Sequence, residues 1–234
     1  MGYIDVHSHV LPGLDDGSPD AETTSVMLRG LAAIGFERVV ATPHQKASQF
    51  LPGWDRVTQA LEATRASSPL PLSLAAENYW DDVFFTRSRD LSFPRYDDGR
   101  AFLFELPPEA VPVQLEQSLF QISVKGLLPV MAHPERYRGF WDDRDRLVNL
   151  AQSVALVVDL GAIAGHHGWR VGRVARALVA DGVAHAVASD AHSPGDVRAA
   201  AEGIAWIKKK LGPSAVTRLL DDSPRRILAG VMPS

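Results

Sequence analysis

Ile4-Asp5-Val6-His7-Ser8-His9 opens the chain, and Ala186-Val187-Ala188-Ser189-Asp190-Ala191-His192 answers it near the other end. Each is a short apolar run that stops in metal-ligand side chains. Between them Val39-Val40-Ala41-Thr42-Pro43-His44, Leu74-Ala75-Ala76-Glu77, Phe102-Leu103-Phe104-Glu105 and Val130-Met131-Ala132-His133 do the same. Four to six apolar residues bounded by turn residues read as a parallel strand buried on both faces. Helical patterns separate the runs, which is the sequence form of repeated βα units. In a β/α barrel the strand C-termini ring one face, and that face carries the chemistry. The expectation is an α/β, TIM-like barrel holding a metal-dependent enzyme.

Strands are expected at about 3–7, 37–42, 72–77, 101–106, 127–132, 154–160 and 184–189, one fewer than an eightfold barrel needs. The first helix is read from Ser18-Pro19-Asp20-Ala21-Glu22, with Ser18 as N-cap and Pro19 in the first turn, and it ends near Ile34-Gly35. Further helices fit near 54–66, 112–125, 142–153, 169–181, 195–211 and 213–229, the second of these turning Leu115, Leu119, Ile122 and Gln121 toward the sheet. The stretch at about 78–100 reads as a long irregular loop, a kind of segment that is usually functional or disordered.

Composition narrows the classes. At 234 residues the chain suits one domain. A net charge of -4 gives no broad basic surface, so nucleic acid is not an expected partner. No apolar stretch approaches the roughly 18 residues of a membrane span, and the N-terminus enters a strand without the regions of a signal peptide. A cytoplasmic protein without membrane insertion is expected. The absence of cysteine removes disulfides, thiolate metal sites and cysteine nucleophiles.

His7-x-His9 alone is weak, since a lone H-x-H is more often incidental than ligating. The companion Asp190-x-His192 changes that reading, because acidic and imidazole groups at apolar strand ends are costly unless a cation compensates them. The candidates are His7, His9, Asp15 or Asp16, His44, Glu77, Glu105, His133, Asp190 and His192. A single catalytic ion usually takes three protein ligands and keeps a position for water. So many candidates imply two or three divalent ions sharing bridging carboxylates. Imidazole and carboxylate without sulfur suit Mn, Fe, Zn or Co better than Ca or Mg.

The segments His7-Ser8-His9-Val10-Leu11-Pro12-Gly13-Leu14-Asp15-Asp16-Gly17, Ala41-Thr42-Pro43-His44 and Ala132-His133-Pro134-Glu135-Arg136-Tyr137, with the Ala188–His192 stretch, resemble the PHP (polymerase and histidinol phosphatase) superfamily. Within it they look most like the bacterial CpsB/CapC-type metal-dependent protein-tyrosine phosphatases of capsule and exopolysaccharide loci. The likeness runs to Asp222-Ser223-Pro224-Arg225-Arg226, similar to that family's closing helix. It implies a distorted (β/α)7 barrel, one PHP phosphoesterase domain over 1–234, and phosphotyrosine hydrolysis through a metal-bound hydroxide. The substrate implied is a phosphotyrosine protein or peptide, with a bacterial tyrosine kinase as partner. The alternatives are a small-molecule phosphatase such as histidinol phosphatase and, less favoured, a non-catalytic binding protein.

Carried over by motif, the first ion takes His7, His9, Glu77 and Asp190, and Glu77 bridges to a second held by Glu105 and His133. A third takes His44, His192 and Asp16, for which Asp15 is the substitute. Manganese is the expected ion, with iron, zinc or cobalt as alternatives. Arg136 stands where the family grips phosphate, and Arg198 is its companion, although Ser193-Pro194-Gly195-Asp196-Val197 departs from the family pattern. Gln45 departs too, where many relatives carry a basic residue.

Plainer readings hold elsewhere. Asp5 and Asp159 read as structural carboxylates. Glu135 serves either to orient His133 or to pair with Arg136. His166 and His167 read as solvated loop residues with a lesser claim on substrate. His185 starts a strand at the opposite face. The aromatic residues of 78–100 read mostly as packing, and Lys208-Lys209-Lys210 as a solvated helix end.

Overall fold

The computed structural model describes residues 2–233. In chain order its elements are β1 (Tyr3–Asp5), α1 (Ala21–Ala33), β2 (Phe36–Ala41), β3 (His44–Gln45), α2 (Trp54–Arg65), β4 (Leu72–Leu74), β5 (Glu77–Tyr79) and α3 (Asp82–Asp90). There follow β6 (Ala101–Glu105), α4 (Leu115–Val124), β7 (Leu128–Ala132), α5 (Arg144–Leu150), β8 (Ala155–Asp159), α6 (Leu160–Ala164) and α7 (Trp169–Ala180). The chain ends with β9 (Ala186–Ala188), α8 (Pro194–Leu211), α9 (Pro213–Thr217) and α10 (Ser223–Leu228).

Every strand pairing is parallel, in two sheets ordered β1-β2-β4 and β3-β5-β6-β7-β8-β9. The two sheets are one wall with a step in it. Two of the strand positions resume after a break: β3 follows β2 beyond Thr42-Pro43, past the expected end at 42, and the expected 72–77 strand is split into β4 and β5 at Ala75-Ala76. Pro43 has no amide to give a ladder. Pairing nonetheless continues across the breaks, with Ala75 N donating to Ala41 O (2.9 Å) and Glu77 N to Pro43 O (3.1 Å). The ring closes at the strand exits, where Asp190 N donates to His7 O (2.9 Å) and His9 N to Ala191 O (3.0 Å). The result is a distorted, TIM-like α/β barrel with seven strand positions.

Alternation along the strands builds two cores. Ala101, Leu103, Val130, Ala132, Ala155, Val157, Ala186 and Ala188 belong to an inner cluster that Tyr96 and Ile227 join. Phe102, Phe104, Met131, Leu156 and Val158 point the other way, against helices that include the buried face Leu115, Leu119 and Ile122 of α4. Each large side chain so buried contributes on the order of 2–3 kcal/mol.

Several boundaries differ from expectation for local reasons. The N-cap of α1 is Asp20, which accepts from Thr23 N (2.8 Å), whereas Ser18 is buried and bonds Thr24. Gln121 is exposed, not turned to the sheet. The 78–100 stretch is mostly ordered: Asp81 caps α3 by accepting from Val83 N and Phe84 N, while Trp80, Phe84, Phe93 and Tyr96 pack inward. A short helix, α6, begins directly at the end of β8, capped by Asp159. The expected 213–229 helix is two pieces, α9 and α10, joined by a π turn at Arg218–Asp222. No helix among the described residues is long and apolar enough to cross a membrane.

Candidate metal centre

All nine ligand-type residues converge at the strand exits. His7 and His9 follow β1, His44 opens β3, Glu77 opens β5, Glu105 ends β6, His133 follows β7, and Asp190 and His192 follow β9. Asp16 comes from the loop after β1. His133 (φ 32°) and Asp190 (φ 46°) both sit in left-handed backbone, which costs a non-glycine residue strain. Strain of that kind persists only where surrounding structure enforces it, and here it lies at two of the converging positions.

Glu77 is the hub. Its Oε1 lies 2.9 Å from His133 Nε2 and 3.3 Å from His7 Nε2, and its Oε2 lies 3.0 Å from His44 Nδ1 and 3.4 Å from His9 Nε2. Asp190 Oδ1 is 3.0 Å from His7 Nε2, and Asp16 Oδ1 is 3.4 Å from His44 Nε2 and 3.6 Å from His192 Nε2. Donor atoms within mutual reach of one ion form the groups His9–Asp16–His44–His192, His7–His133–Asp190, His7–His9–Glu77 and His44–Glu77–Glu105. The first of these contains the third set carried over by motif, and His7–His9–Glu77 lies within the first set, while His133 falls with His7 and Asp190, and His44 also with Glu77 and Glu105.

A second layer orients the imidazoles. Nδ1 of His7 bonds Thr42 Oγ1 (2.7 Å), that of His9 donates to Asp15 Oδ2 (2.8 Å), and that of His192 donates to the Asp190 carbonyl (2.8 Å). Nδ1 of His133 meets the Tyr137 hydroxyl at 3.3 Å. Each arrangement leaves Nε2 for the cluster. Asp15 is fully engaged, since it also accepts from His44 N and Gly17 N, so the free oxygen of the Asp15-Asp16 pair belongs to Asp16.

The decisive observation concerns hydrogen bonds that are missing. His7 Nε2, His9 Nε2, His44 Nδ1, Glu105 Oε2 and Asp190 Oδ1 are buried without one. Unmade bonds in the interior each cost on the order of 1–3 kcal/mol, and more for charged groups. Five such atoms facing each other suit a shared cation, and the imidazole and carboxylate donor set fits a divalent transition ion. Burial lowers His44 and His192, but the carboxylates Glu77, Glu105, Asp16 and Asp190 outweigh it and push both up to about 9. Burial and the neighbouring Glu77 push Glu105 up to about 8. These shifts register an excess of carboxylate charge at the strand exits, which a divalent cation would compensate.

The family model for capsular polysaccharide synthesis, CpsB/CapC, matches residues 3–229. The chain belongs to the CpsB/CapC family. Tyrosine-protein phosphatase YwqE of Bacillus subtilis (strain 168) is 29% identical over 197 residues, covering 81% of this chain and 77% of that one. Tyrosine-protein phosphatase CpsB of Streptococcus pneumoniae is 26% identical over 247 residues, covering 96% and 98%. A solved structure from work on YwqE and CpsB, described as unique metal-dependent tyrosine phosphatases, superposes with a TM-score of 0.87 at 25% identity over 99% of this chain and 96% of that one. The CpsB/CapC resemblance read from the motifs therefore holds over nearly the whole chain.

Other expected residues fall as follows in this CpsB/CapC chain. Arg136 is partly buried, and its Nη2 contacts both Asp159 Oδ2 (2.5 Å) and Asp190 Oδ2 (2.6 Å). Burial opposes its charge, but these carboxylates keep it firmly protonated. Arg198 is exposed in the first turns of α8, with no ion pair among the described residues. Asp5 is structural, accepting from Ser189 N and Oγ, and burial pushes it up to about 6. Glu135 Oε1 accepts from Asp159 N (3.0 Å); the carboxyl hydrogen-bonds neither His133 nor Arg136, but it interacts with the Arg136 guanidinium through charge. Gln45 is buried and accepts from Arg87 Nη2 at 2.6 Å. Arg87 and Arg95 line a cavity of about 630 Å³ beside the site, into which none of the nine residues opens.

Proposed function

We propose that the chain is a cytoplasmic, metal-dependent protein-tyrosine phosphatase whose substrate is a phosphotyrosine protein or peptide, such as a bacterial tyrosine kinase that regulates capsule or exopolysaccharide synthesis. The five buried donor atoms left without hydrogen bonds at the mouth of a CpsB/CapC barrel carry this reading. In it His7, His9, Asp16, His44, Glu77, Glu105, His133, Asp190 and His192 hold two or three divalent ions, manganese first, with iron, zinc or cobalt able to replace it. Such ions supply Lewis acidity that activates water and neutralises charge on phosphoryl oxygens.

The chain's own groups do the rest. Thr42, Asp15, Tyr137 and the Asp190 carbonyl hold the imidazoles in the tautomer that leaves Nε2 free. Asp159 and Asp190 hold the guanidinium of Arg136 at the edge of the cluster, where it can meet a phosphate oxygen. Arg198, free at the start of α8, supplies a second guanidinium for the same anion. With no cysteine in the chain, hydrolysis proceeds without a thiophosphate intermediate.

Direct competition tests the substrate class. With phosphotyrosine peptide and histidinol phosphate at equal concentration, the peptide should be consumed first. Preference for histidinol phosphate would replace this substrate with a small molecule and leave the metal centre unaffected.

A further inference from the structure

At the exit of β8 a second constellation borders the ligand cluster without joining it. Asp159 is buried; its Oδ1 accepts from Gly161 N at 2.6 Å, its Oδ2 accepts from Arg136 Nη2 (2.5 Å), and the same oxygen lies 2.7 Å from His167 Nε2. Arg136 continues the chain of contacts to Asp190 Oδ2 at 2.6 Å. His167 Nε2 is 3.3 Å from Arg136 Nη2, so this imidazole lies beside the proposed phosphate anchor. It rides on the loop between α6 and α7, between Gly165 (φ 100°) and Gly168 (φ 91°). The adjacent His166 behaves differently, reaching only the exposed Glu202 at 3.3 Å.

Capping α6 requires only Oδ1 of Asp159, and holding Arg136 requires no imidazole. The bond to His167 therefore serves neither purpose. Because Nε2 faces Asp159 and Arg136, Nδ1 is the nitrogen left over. The arrangement is a carboxylate-oriented histidine, the usual form of a positioned acid or base.

We infer that His167 is a catalytic residue that donates a proton from Nδ1 to the departing ester oxygen, with Asp159 as its positioning residue. This rests on the phosphatase reading above. As the bond from phosphorus to the leaving oxygen breaks, its electron pair stays on that oxygen, which takes the imidazolium proton. The attacking water yields its own proton to solvent, and solvent reprotonates the imidazole. One water is consumed, and one phenol and one inorganic phosphate are released.

The test is leaving-group dependence in the full-length, manganese-loaded protein. His167→Gln keeps an amide N–H for Asp159 but cannot act as an acid. Across aryl phosphates from 4-nitrophenyl to 4-methoxyphenyl, kcat/KM of the variant should fall ever further behind wild type as the phenol becomes less acidic. The expected loss is about 100-fold for the poorest leaving group and under about 3-fold for 4-nitrophenol, within the range for general acids. In His167→Ala, added imidazole should restore the slow esters selectively, and bound metal should match wild type in both variants. An equal loss for every ester, or no loss, overturns the assignment. Failure of the metal-loaded wild type to hydrolyse any ester would instead overturn the phosphatase reading itself.

Discussion

The two ends of the barrel treat histidine in opposite ways. At the strand entries, His185 is partly buried and its Nδ1 accepts from Leu156 N at 3.0 Å; burial, with Arg218 nearby, holds it down to about 4. At the exits, His44 and His192 are also desolvated, yet carboxylates drive them up to about 9. Entry-end polar groups are consumed by backbone: Arg65 donates twice to Leu72 O, and Arg218 once to Ala184 O. Exit-end groups face one another and leave donor atoms unspent. Burial of a polar side chain therefore says little about function until its partners are counted. A histidine satisfied by the main chain is architecture; one facing carboxylates with a nitrogen unused is chemistry in waiting.

The contrast breaks most directly by removing metal. Chelation should abolish phosphatase activity and lower the melting temperature, and Mn, Fe, Co or Zn should restore both to different degrees. Full activity in protein verified by elemental analysis to be metal-free would end the distinction between the two ends. Next in size, His133→Ala or Asp190→Ala should reduce bound metal and cut kcat by about 10²–10³-fold while KM changes little. Normal turnover in either variant would remove that residue from the set. Arg136→Lys should keep the metal and the fold but weaken kcat/KM by on the order of 10-fold, because an ammonium cannot reproduce the planar grip of a guanidinium on phosphate. An unchanged kcat/KM would take phosphate recognition away from this position.

The smallest effect on turnover belongs to the entry end. His185→Ala should cost about 1–3 kcal/mol of stability by orphaning Leu156 N–H, with kcat unaltered. The pH dependence has a definite sign. The folded state holds His185 near 4, below its ordinary 6.5, so the unfolded chain binds more protons between those values. Its contribution is whole above pH 6.5 and is lost as pH falls toward 4, on the order of 1–2 kcal/mol by pH 5. Urea unfolding at pH 7 and pH 5 should show that loss in wild type and a smaller one in His185→Gln. The same acid loss in both proteins would assign it to other groups.

Much of this was legible in the chain because apolar runs ending in His, Asp or Glu signal both the strand and its exit. The eight residues so marked meet at one mouth, where Asp16 joins them from a loop. What stayed hidden depends on backbone detail. Nothing in composition announces that Pro43 splits a strand, or that His133 and Asp190 take left-handed backbone. Helix α6 hides because Leu160-Gly161-Ala162-Ile163-Ala164 prolongs the apolar run of β8. Helix α3 was findable: Asp81 ahead of an apolar run with arginines toward its end is a cap signal, masked by the aromatic crowd around it. The grip of Arg136 on Asp159 and Asp190 joins residues remote in sequence, beyond the reach of any local pattern.

The seam of the barrel has one more consequence. Its hydrogen bonds join His7 to Asp190 and His9 to Ala191, so the first and last strands meet where two ligand pairs stand side by side. An ion held by residues from both pairs would tie the chain into a loop nearly its full length, as a disulfide between the termini would. Closing a loop of that length restricts the unfolded chain strongly, and the penalty grows only slowly with further length. Seen as polymer topology, a metal centre at this seam would also be a clasp, and amide exchange at Asp190 and His9 would register whether it is fastened.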